Sequence, residues 1–290
     1  MRISSLLRIS SLLVCALLAA CAHSPPETLA GRIWDARAER YVAPEQVFER
    51  AARGRHVLLG ETHDNAEHHR LQLRVLEALA ARGETRVLAM EQFDSEHQAA
   101  IDAARAAGAD AERLADAAQF ERKGWNWPLY RPLVEFALAH GWPLAGANLS
   151  RTDARAVVAE PARSRLPPPA PAVLAALERD IVEGHCGAAP PAARLAGMVE
   201  AQRARDARMA EVLAAQRTAT VLIAGIGHVR KDRGVPLYLG RGDRVSVGFV
   251  EVQDDKRAPR DYFDGFATPA SFDYLWFTPR AEREDPCKGM

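Results

Sequence analysis

The sequence has little lysine and no excess of charge of either sign. Its 38 basic side chains balance 38 acidic ones, and only four of the basic residues are lysines. This balance excludes the basic surface expected of a nucleic-acid-binding protein. The motifs Gly-x-Ser-x-Gly, His-Glu-x-x-His and Cys-x-x-Cys-His are also absent. Their absence excludes a serine-hydrolase elbow, a zincin helix and covalent haem attachment.

Long hydrophobic runs are equally scarce, and the main one lies near the N-terminus. Residues 12–20 are apolar, follow two arginines and are too short to span a bilayer, which predicts a signal peptide over residues 1–20. The run ends in Leu-Ala-Ala before Cys21, as in a bacterial lipobox, so we expect a lipoprotein acylated on Cys21. An ordinary secretory signal is the alternative. Ala22 favours the outer membrane, and residues 22–30 are expected to form a tether to a soluble body.

Few cysteines would remain in the exported chain. Cys15 leaves with the signal and Cys21 carries lipid, so only Cys186 and Cys287 are left. Two cysteines in an oxidising compartment favour a disulfide, and this pair would close a long loop. The predicted bridge would stabilise the fold by a model value on the order of 4 kcal/mol.

Four short apolar runs each end abruptly in polar residues. Such runs are typical of strands buried on both faces of a parallel sheet, and the segments between them have helical periodicity. We therefore predict an α/β fold, a mostly parallel sheet flanked by helices, with a body over 31–160 and 218–290. A proline-rich stretch, expected to form a stiff extended connector, and two helical segments predict a smaller helical cap subdomain over 161–217. The four runs are residues 56–60, 86–90, 143–147 and 219–224.

Polar side chains follow these strands and are predicted to meet, because ligands bind at the carboxyl ends of strands in open α/β sheets. The set is Glu61, His63, Glu91, Asn148 and His228. Carboxylates and imidazoles suit acid–base chemistry. They also suit a divalent metal, for which we expect Glu61, His63 and His228 as ligands.

Several of these residues have a structural alternative. Glu91 could instead be paired with an arginine such as Arg151, because a carboxylate that ends an apolar strand needs a partner. His68 and His69 are predicted to lie on the solvated face of the next helix, with a metal-ligand role as the alternative.

An aromatic cluster precedes a helix predicted over residues 131–140. Tyr130 in this cluster could ligate haem iron, and the neighbouring tryptophans could wall a porphyrin. The alternative is a core anchor. The tail after residue 262 is also aromatic but has no clear periodicity, so its aromatic residues are expected to pack against the body.

Taken in order, these features resemble the ChaN-type haem-binding lipoproteins, within a superfamily that includes erythromycin-esterase-like hydrolases and Tiki-type metalloproteases. The similarity spans most of the exported chain. The matching segments are 59–64, 90–93, 127–130, 147–148, 184–187, 201–203 with Asp206, 225–228 and 283–287.

The resemblance implies a two-part α/β fold and a surface lipoprotein that binds haem as a homodimer, with a tyrosine–iron contact and a nearby histidine. It also implies a role in iron acquisition. His63 is the expected haem-proximal histidine. No tyrosine follows Asn148, where Leu149 and Ser150 stand, so Tyr130 is the candidate ligand. The expected haem contacts are His63, Tyr130, Asn148, Arg151 and His228.

The competing hypothesis is an enzyme. In the hydrolase relatives the working set would be Glu61, His63, Glu91 and His228, acting on an ester or amide. Such a hydrolase would use Zn²⁺ or Mn²⁺, or act without metal. We expect a haem-binding protein rather than an enzyme, and a Soret band separates the two.

Overall fold

The computed structural model of the protein describes residues 28–240, 242–263, 270–285 and 287–288. The predicted signal peptide, Cys21 and residues 22–27 of the predicted tether lie outside these ranges. Across the described residues, none of the helices combines the length and the apolarity that crossing a bilayer requires.

The described chain alternates strands with helices, as the periodicity predicts. The strands are β1 (Ile33–Asp35), β2 (Arg40–Val42), β3 (His56–Glu61), β4 (Val87–Asp94), β5 (Leu144–Asn148), β6 (Thr220–Gly225), β7 (Arg244–Glu251) and β8 (Tyr274–Thr278). The helices are α1 (Pro44–Arg53), α2 (Ala66–Ala80), α3 (Gln98–Ala106), α4 (Ala111–Ala117), α5 (Trp127–Ala139), α6 (Arg151–Ala159), α7 (Pro171–Gly184) and α8 (Ala192–Ala215).

The strands form one sheet in the order β2-β1-β8-β7-β3-β6-β4-β5. All pairings from β8 to β5 are parallel, and the hairpin of β1 and β2 adds an antiparallel edge. This sheet confirms the predicted α/β class. Because β3, β6 and β4 are neighbours, their carboxyl ends lie side by side.

Both faces of the sheet are covered, which explains the continuous apolar runs. Successive strand residues point to opposite faces. Val57 and Leu59 therefore join the core that contains α2 and α5, whereas Leu58 joins the core that contains Met209 and Leu213 of α8. The division into a body and a cap stays a prediction. The second half of α8, a helix of the predicted cap, packs on the sheet of the predicted body.

Four boundaries differ from the predictions. β4 continues past Glu91 to Asp94, and its register with β5 shifts between Met90 and Asp94. α5 begins at Trp127, because Pro128 is favourable in the first turn of a helix. The tail contains β8, a buried strand without polar alternation. The stretch predicted as an extended connector begins with a 3₁₀ turn, Pro161–Ser164, directly after α6.

A disulfide joins Cys186, in the turn between α7 and α8, to Cys287. The two cysteines are 101 residues apart in sequence. The tail is also held by Arg283, whose guanidinium donates to Asp64 over 2.7 Å and to Glu251 over 2.7 Å. The C-terminal segment is thus fixed to the loop after β3 and to the α7–α8 turn.

Candidate functional site: a carboxylate–histidine cluster

The site lies where β3, β4 and β6 end. Glu61 is the last residue of β3 and is in register with Gly225, the last residue of β6. Beyond β3 the chain turns into α2, whose first turn is capped by the side chain of Asn65, which accepts from the N–H groups of Glu67 and His68. The polar residues after β3 are therefore held between a strand end and a helix start.

Glu61 is the centre of the first part of the site. Its carboxylate is fully buried and accepts hydrogen bonds at both oxygens. Burial alone would raise the pKa of Glu61, but the nearby His69 and His63 and the hydroxyl of Tyr130 lower it. The carboxylate is therefore ionised and fixed in position. Its donors are Tyr130 Oη at 2.6 Å, Gln72 Nε2 at 2.7 Å, His63 Nδ1 at 3.0 Å and Gln92 Nε2 at 3.3 Å.

His63 is the exposed member of the cluster, with 46% of its side chain accessible. Nδ1 is held by Glu61, and the ring meets Trp125 edge to face with centroids 4.7 Å apart. Burial lowers the pKa of His63, but the hydrogen bond to Glu61 and the charge of Glu91 raise it above its usual value. A Cβ on Gly225 would lie 3.1 Å from Nε2, so glycine leaves room for this ring. The carboxylate on Nδ1 fixes the ring orientation and leaves Nε2 for a ligand or a proton.

The second part of the site is a buried chain of two carboxylates with a histidine between them. His228 Nδ1 lies 2.7 Å from Asp206 and Nε2 lies 3.2 Å from Glu91. Glu91 also accepts the N–H of Gly225 over 2.7 Å. Burial would lower the pKa of His228, but the two carboxylates raise it to about 10, so the ring is an imidazolium. That positive charge, against the effect of burial, lowers the pKa of Glu91 well below its usual range.

Glu61, His63 and His228, the predicted metal ligands, do not point to a common centre. His63 is turned to Glu61, whereas His228 is turned to Glu91, so the residues make two separate pairs. Among the described residues, the group of three side chains whose donor atoms converge for a metal ion is Asp94, Glu96 and His97. Glu61, His63 and His228 are not such a group.

Asn148 and Arg151 lie beside the cluster rather than in it. Asn148 Oδ1 accepts from Arg205 over 3.0 Å, and Arg151 lies 3.5 Å from Glu121. Glu91 is therefore paired with His228 and not with Arg151. Asn148 and Arg151 line a cavity of about 290 Å³, whose wall includes Trp125.

Tyr130 has a different place from the one expected. Its side chain is fully buried, and its hydroxyl donates to Glu61 over 2.6 Å. Burial and the Glu61 carboxylate raise the pKa of Tyr130 well above its usual range. Because an iron ligand must be accessible and is a phenolate, this geometry corrects the expectation that Tyr130 is the haem ligand. It supports Glu61 instead.

His68 and His69 are buried, which corrects the prediction of a solvated face. The N–H of Thr62 donates to His68 Nδ1 over 2.8 Å, and His68 Nε2 lies 2.8 Å from Thr278 Oγ1. Burial lowers the pKa of His68 to about 4, so the ring is neutral with its proton on Nε2. His69 Nε2 donates to the carbonyl of His63 over 3.0 Å. Both rings brace the loop after β3.

Several site residues were not assigned a role from the sequence. Gln72 and Gln92 hold Glu61, and Gln202 and Asp206, one turn apart on α8, contact His228. Gln92, Gln202 and Asp206 lie in segments that carry the family resemblance, but the resemblance gives them no role. A carboxylate as buried as Asp206 needs a partner, yet its burial shows only in the structure.

The protein is therefore an α/β protein with a mostly parallel sheet and a carboxylate–histidine cluster at the ends of its strands. The model of the family described as haem-binding uptake, Tiki superfamily, ChaN matches residues 47–239. The chain belongs to this family. None of the curated proteins matches the chain in sequence.

A solved structure shares the fold, and two others are more distantly similar. A structure of ChaN of Campylobacter jejuni, described as showing cofacial haem binding, has a TM-score of 0.71 at 24% identity and covers 84% of this chain and 95% of that one. An erythromycin esterase mutant in its open conformation has a TM-score of 0.49 at 12% identity, with coverage of 89% and 99%. A protein from Bacillus cereus has a TM-score of 0.47 at 11% identity, with coverage of 81% and 90%. At 24% identity, the likeness to the ChaN structure shows the fold alone.

Proposed function

We propose that this chain binds haem, with His63 as the iron-proximal residue, and that it serves haem or iron acquisition as a lipid-anchored protein of the outer membrane. The observation that supports the proposal best is the His63 imidazole itself. Its Nδ1 is bound to Glu61 over 3.0 Å, while nearly half of its side chain is accessible. A carboxylate behind an imidazole fixes the tautomer and makes the free nitrogen a better ligand.

Two features of the surroundings of His63 support haem as the ligand. Trp125 supplies an aromatic edge beside the ring. The cavity next to it contains Arg151 and Asn148, the expected haem contacts, and a guanidinium suits a carboxylate substituent. His228, another expected haem contact, uses its two ring nitrogens to contact Asp206 and Glu91. It would therefore not touch haem, but would hold Glu91 in place.

Bound haem would supply the iron that the protein carries. On this proposal Glu61 accepts the hydrogen bond from Nδ1–H of His63, so that Nε2 is the nitrogen offered to that iron, and Tyr130 and Gln72 keep Glu61 in place. One chain would then supply His63 alone to the iron. We therefore also propose that a second copy of the chain meets the first at the ligand, as the resemblance implies.

Haemin titration of the full-length chain, followed by absorbance, tests the proposal. We expect a saturable Soret shift that His63→Ala abolishes and that Glu61→Gln weakens by about 10–100-fold, the effect typical of second-layer partners of a ligand. His140→Ala, at an exposed histidine after α5, is the matched control. A Soret shift that survives His63→Ala unchanged would contradict the assignment, and no saturable shift at all would contradict haem binding.

The Glu61–His63 pair favours one second candidate, a hydrolase. An accessible imidazole held at Nδ1 by a buried carboxylate is the arrangement of a general base and its orienting group. Such an enzyme would act on an ester or amide, without metal or with Zn²⁺ or Mn²⁺. Hydrolysis of a chromogenic ester that is lost in His63→Ala and Glu61→Gln, in a chain that shows no Soret shift with haemin, would favour it over the haem proposal.

A further inference from the structure

We propose that Asp94, Glu96 and His97 bind a divalent metal cation at the end of β4, at a site separate from His63. Asp94 is the last residue of β4, and the 3₁₀ turn Ser95–His97 follows directly. One donor atom from each of the three side chains lies within 4.8 Å of the other two. Donor atoms about 2.0–2.2 Å from a shared ion are at most about 4.4 Å apart, so small side-chain movements would close the set around a metal.

The three donors are not committed to other partners. The contact of His97 Nε2 with Glu96 is long, at 3.8 Å. Asp94 accepts no hydrogen bond and forms no ion pair at its carboxylate among the described contacts, although it is half-buried. A cation between the carboxylates of Asp94 and Glu96 would offset the repulsion between their charges.

A second, independent feature is Gln92, which lines the same cavity as Asp94, Glu96 and His97. Its side chain is 4% exposed, and its Oε1 has no hydrogen-bond partner within the described structure. The amide nitrogen donates to Glu61 over 3.3 Å, which fixes the orientation, since the reverse would bring oxygen against a carboxylate. A buried amide oxygen without a donor carries a desolvation cost, and a metal ion or a metal-bound water would offset it.

The cavity leaves room for such an ion and its waters, at about 290 Å³. Two arginines also line it, but each has a partner of its own. Arg151 lies 3.5 Å from Glu121, and Arg205 donates to Asn148 over 3.0 Å. The charges of both arginines act on Asp94 from a distance, but within the described structure neither guanidinium forms an ion pair with Asp94 or Glu96.

The donor chemistry indicates the class of metal. One imidazole with two carboxylates and an amide oxygen suits borderline divalent ions such as Zn²⁺, Mn²⁺ or Fe²⁺. Ca²⁺ and Mg²⁺ prefer oxygen ligands alone. Because Gln92 touches both the cavity and Glu61, an ion bound here would be connected to the Glu61–His63 pair through one side chain.

Isothermal titration of the haem-free, untagged full-length chain with ZnCl₂ tests the proposal. We expect saturable binding of about one ion per chain, and an affinity that Asp94→Asn and His97→Gln each lower about tenfold or more. Glu96 is 55% exposed, so Glu96→Gln is the variant that keeps the fold if Asp94→Asn does not. His140→Ala should bind Zn²⁺ like the wild type.

His63→Ala separates the two regions. Zn²⁺ binding that survives His63→Ala and is lost in His97→Gln supports the site at the end of β4. Binding that is lost in His63→Ala and kept in His97→Gln would place the ion on Glu61 and His63 instead. Either that pattern or the absence of saturable binding would overturn the proposal, whatever the outcome of the haemin titration.

Discussion

The hydroxyl group of Tyr130 donates a hydrogen bond to Glu61 over 2.6 Å, and both side chains are buried. This bond connects α5 to the end of β3. It gives the buried carboxylate a neutral donor on one oxygen, while Gln72 donates to the other. Tyr130 is thus part of the support for the site, whereas Trp125 lies beside the His63 ring.

Tyr130→Phe removes this donor and leaves the rest of the ring in place. We expect the free energy of unfolding to fall by about 1.5–3 kcal/mol, the range for a hydrogen bond to a charged group. Denaturant unfolding measures it, with Tyr41→Phe on β2 as the matched control. Haemin binding should keep its stoichiometry, because Tyr130 is not the iron ligand. A Soret shift abolished in a folded Tyr130→Phe chain would contradict this role.

His68 gives a prediction about pH. Burial lowers its pKa to about 4 in the folded chain, against an ordinary value of 6.5. Between about pH 4 and pH 6.5, His68 therefore binds a proton in the unfolded chain but not in the folded chain. The neutral His68 ring contributes roughly 3 kcal/mol to the free energy of unfolding above pH 6.5, and this contribution is lost as the pH falls towards 4.

His68→Gln should remove that part of the pH dependence. We expect the variant to be less stable than the wild type at pH 7, and the difference between them to shrink between pH 6.5 and 4. Unfolding curves across this range measure it, and His185→Gln, at an exposed histidine, controls for the substitution itself. A constant difference across the range would show that His68 titrates normally in the folded chain.

The strand-end residues could be predicted from sequence because they depend on local pattern. Glu61 and Gly225 each follow an apolar run, and parallel neighbours bring such ends together. Asp206 has no such signal, since it lies within a long helix and its partner His228 is 22 residues away. The prediction of a solvated face for His68 is wrong because helical periodicity does not show that the β8 residue Thr278 covers that face of α2. β8 itself is fully buried and too short to show alternation.

The disulfide gives a prediction about stability. Cys186 and Cys287 close a loop of 101 residues, which in the chain-entropy model destabilises the unfolded state. Reduction should lower the free energy of unfolding by roughly 2–4 kcal/mol. Denaturant unfolding with and without reductant measures the change. Cys287→Ser should match the reduced wild type and show no response to reductant, and an unchanged unfolding curve after reduction would contradict the prediction.

Gly225 and Gly227 form a matched pair for testing the space around His63. A Cβ at position 225 would lie 2.9 Å from Cε1 and 3.1 Å from Nε2 of the His63 ring, so that the ring must move. A Cβ at position 227 would meet nothing within 4 Å. Gly225→Ala should therefore weaken haemin binding by about tenfold or more, because moving or turning a ligand such as the His63 ring by about 1 Å has effects of this size or larger. Gly227→Ala should leave haemin binding unchanged.

The comparison depends on the two chains being folded, so thermal unfolding accompanies each haemin titration. Gly225 also donates its N–H to Glu91 over 2.7 Å, a bond that alanine can keep. A loss of binding in Gly225→Ala at unchanged unfolding temperature would therefore locate the effect at the His63 ring. Equal haemin affinity in both variants would mean that the ligand does not approach His63 from the side of β6, and the iron-proximal role of His63 would have to be given up.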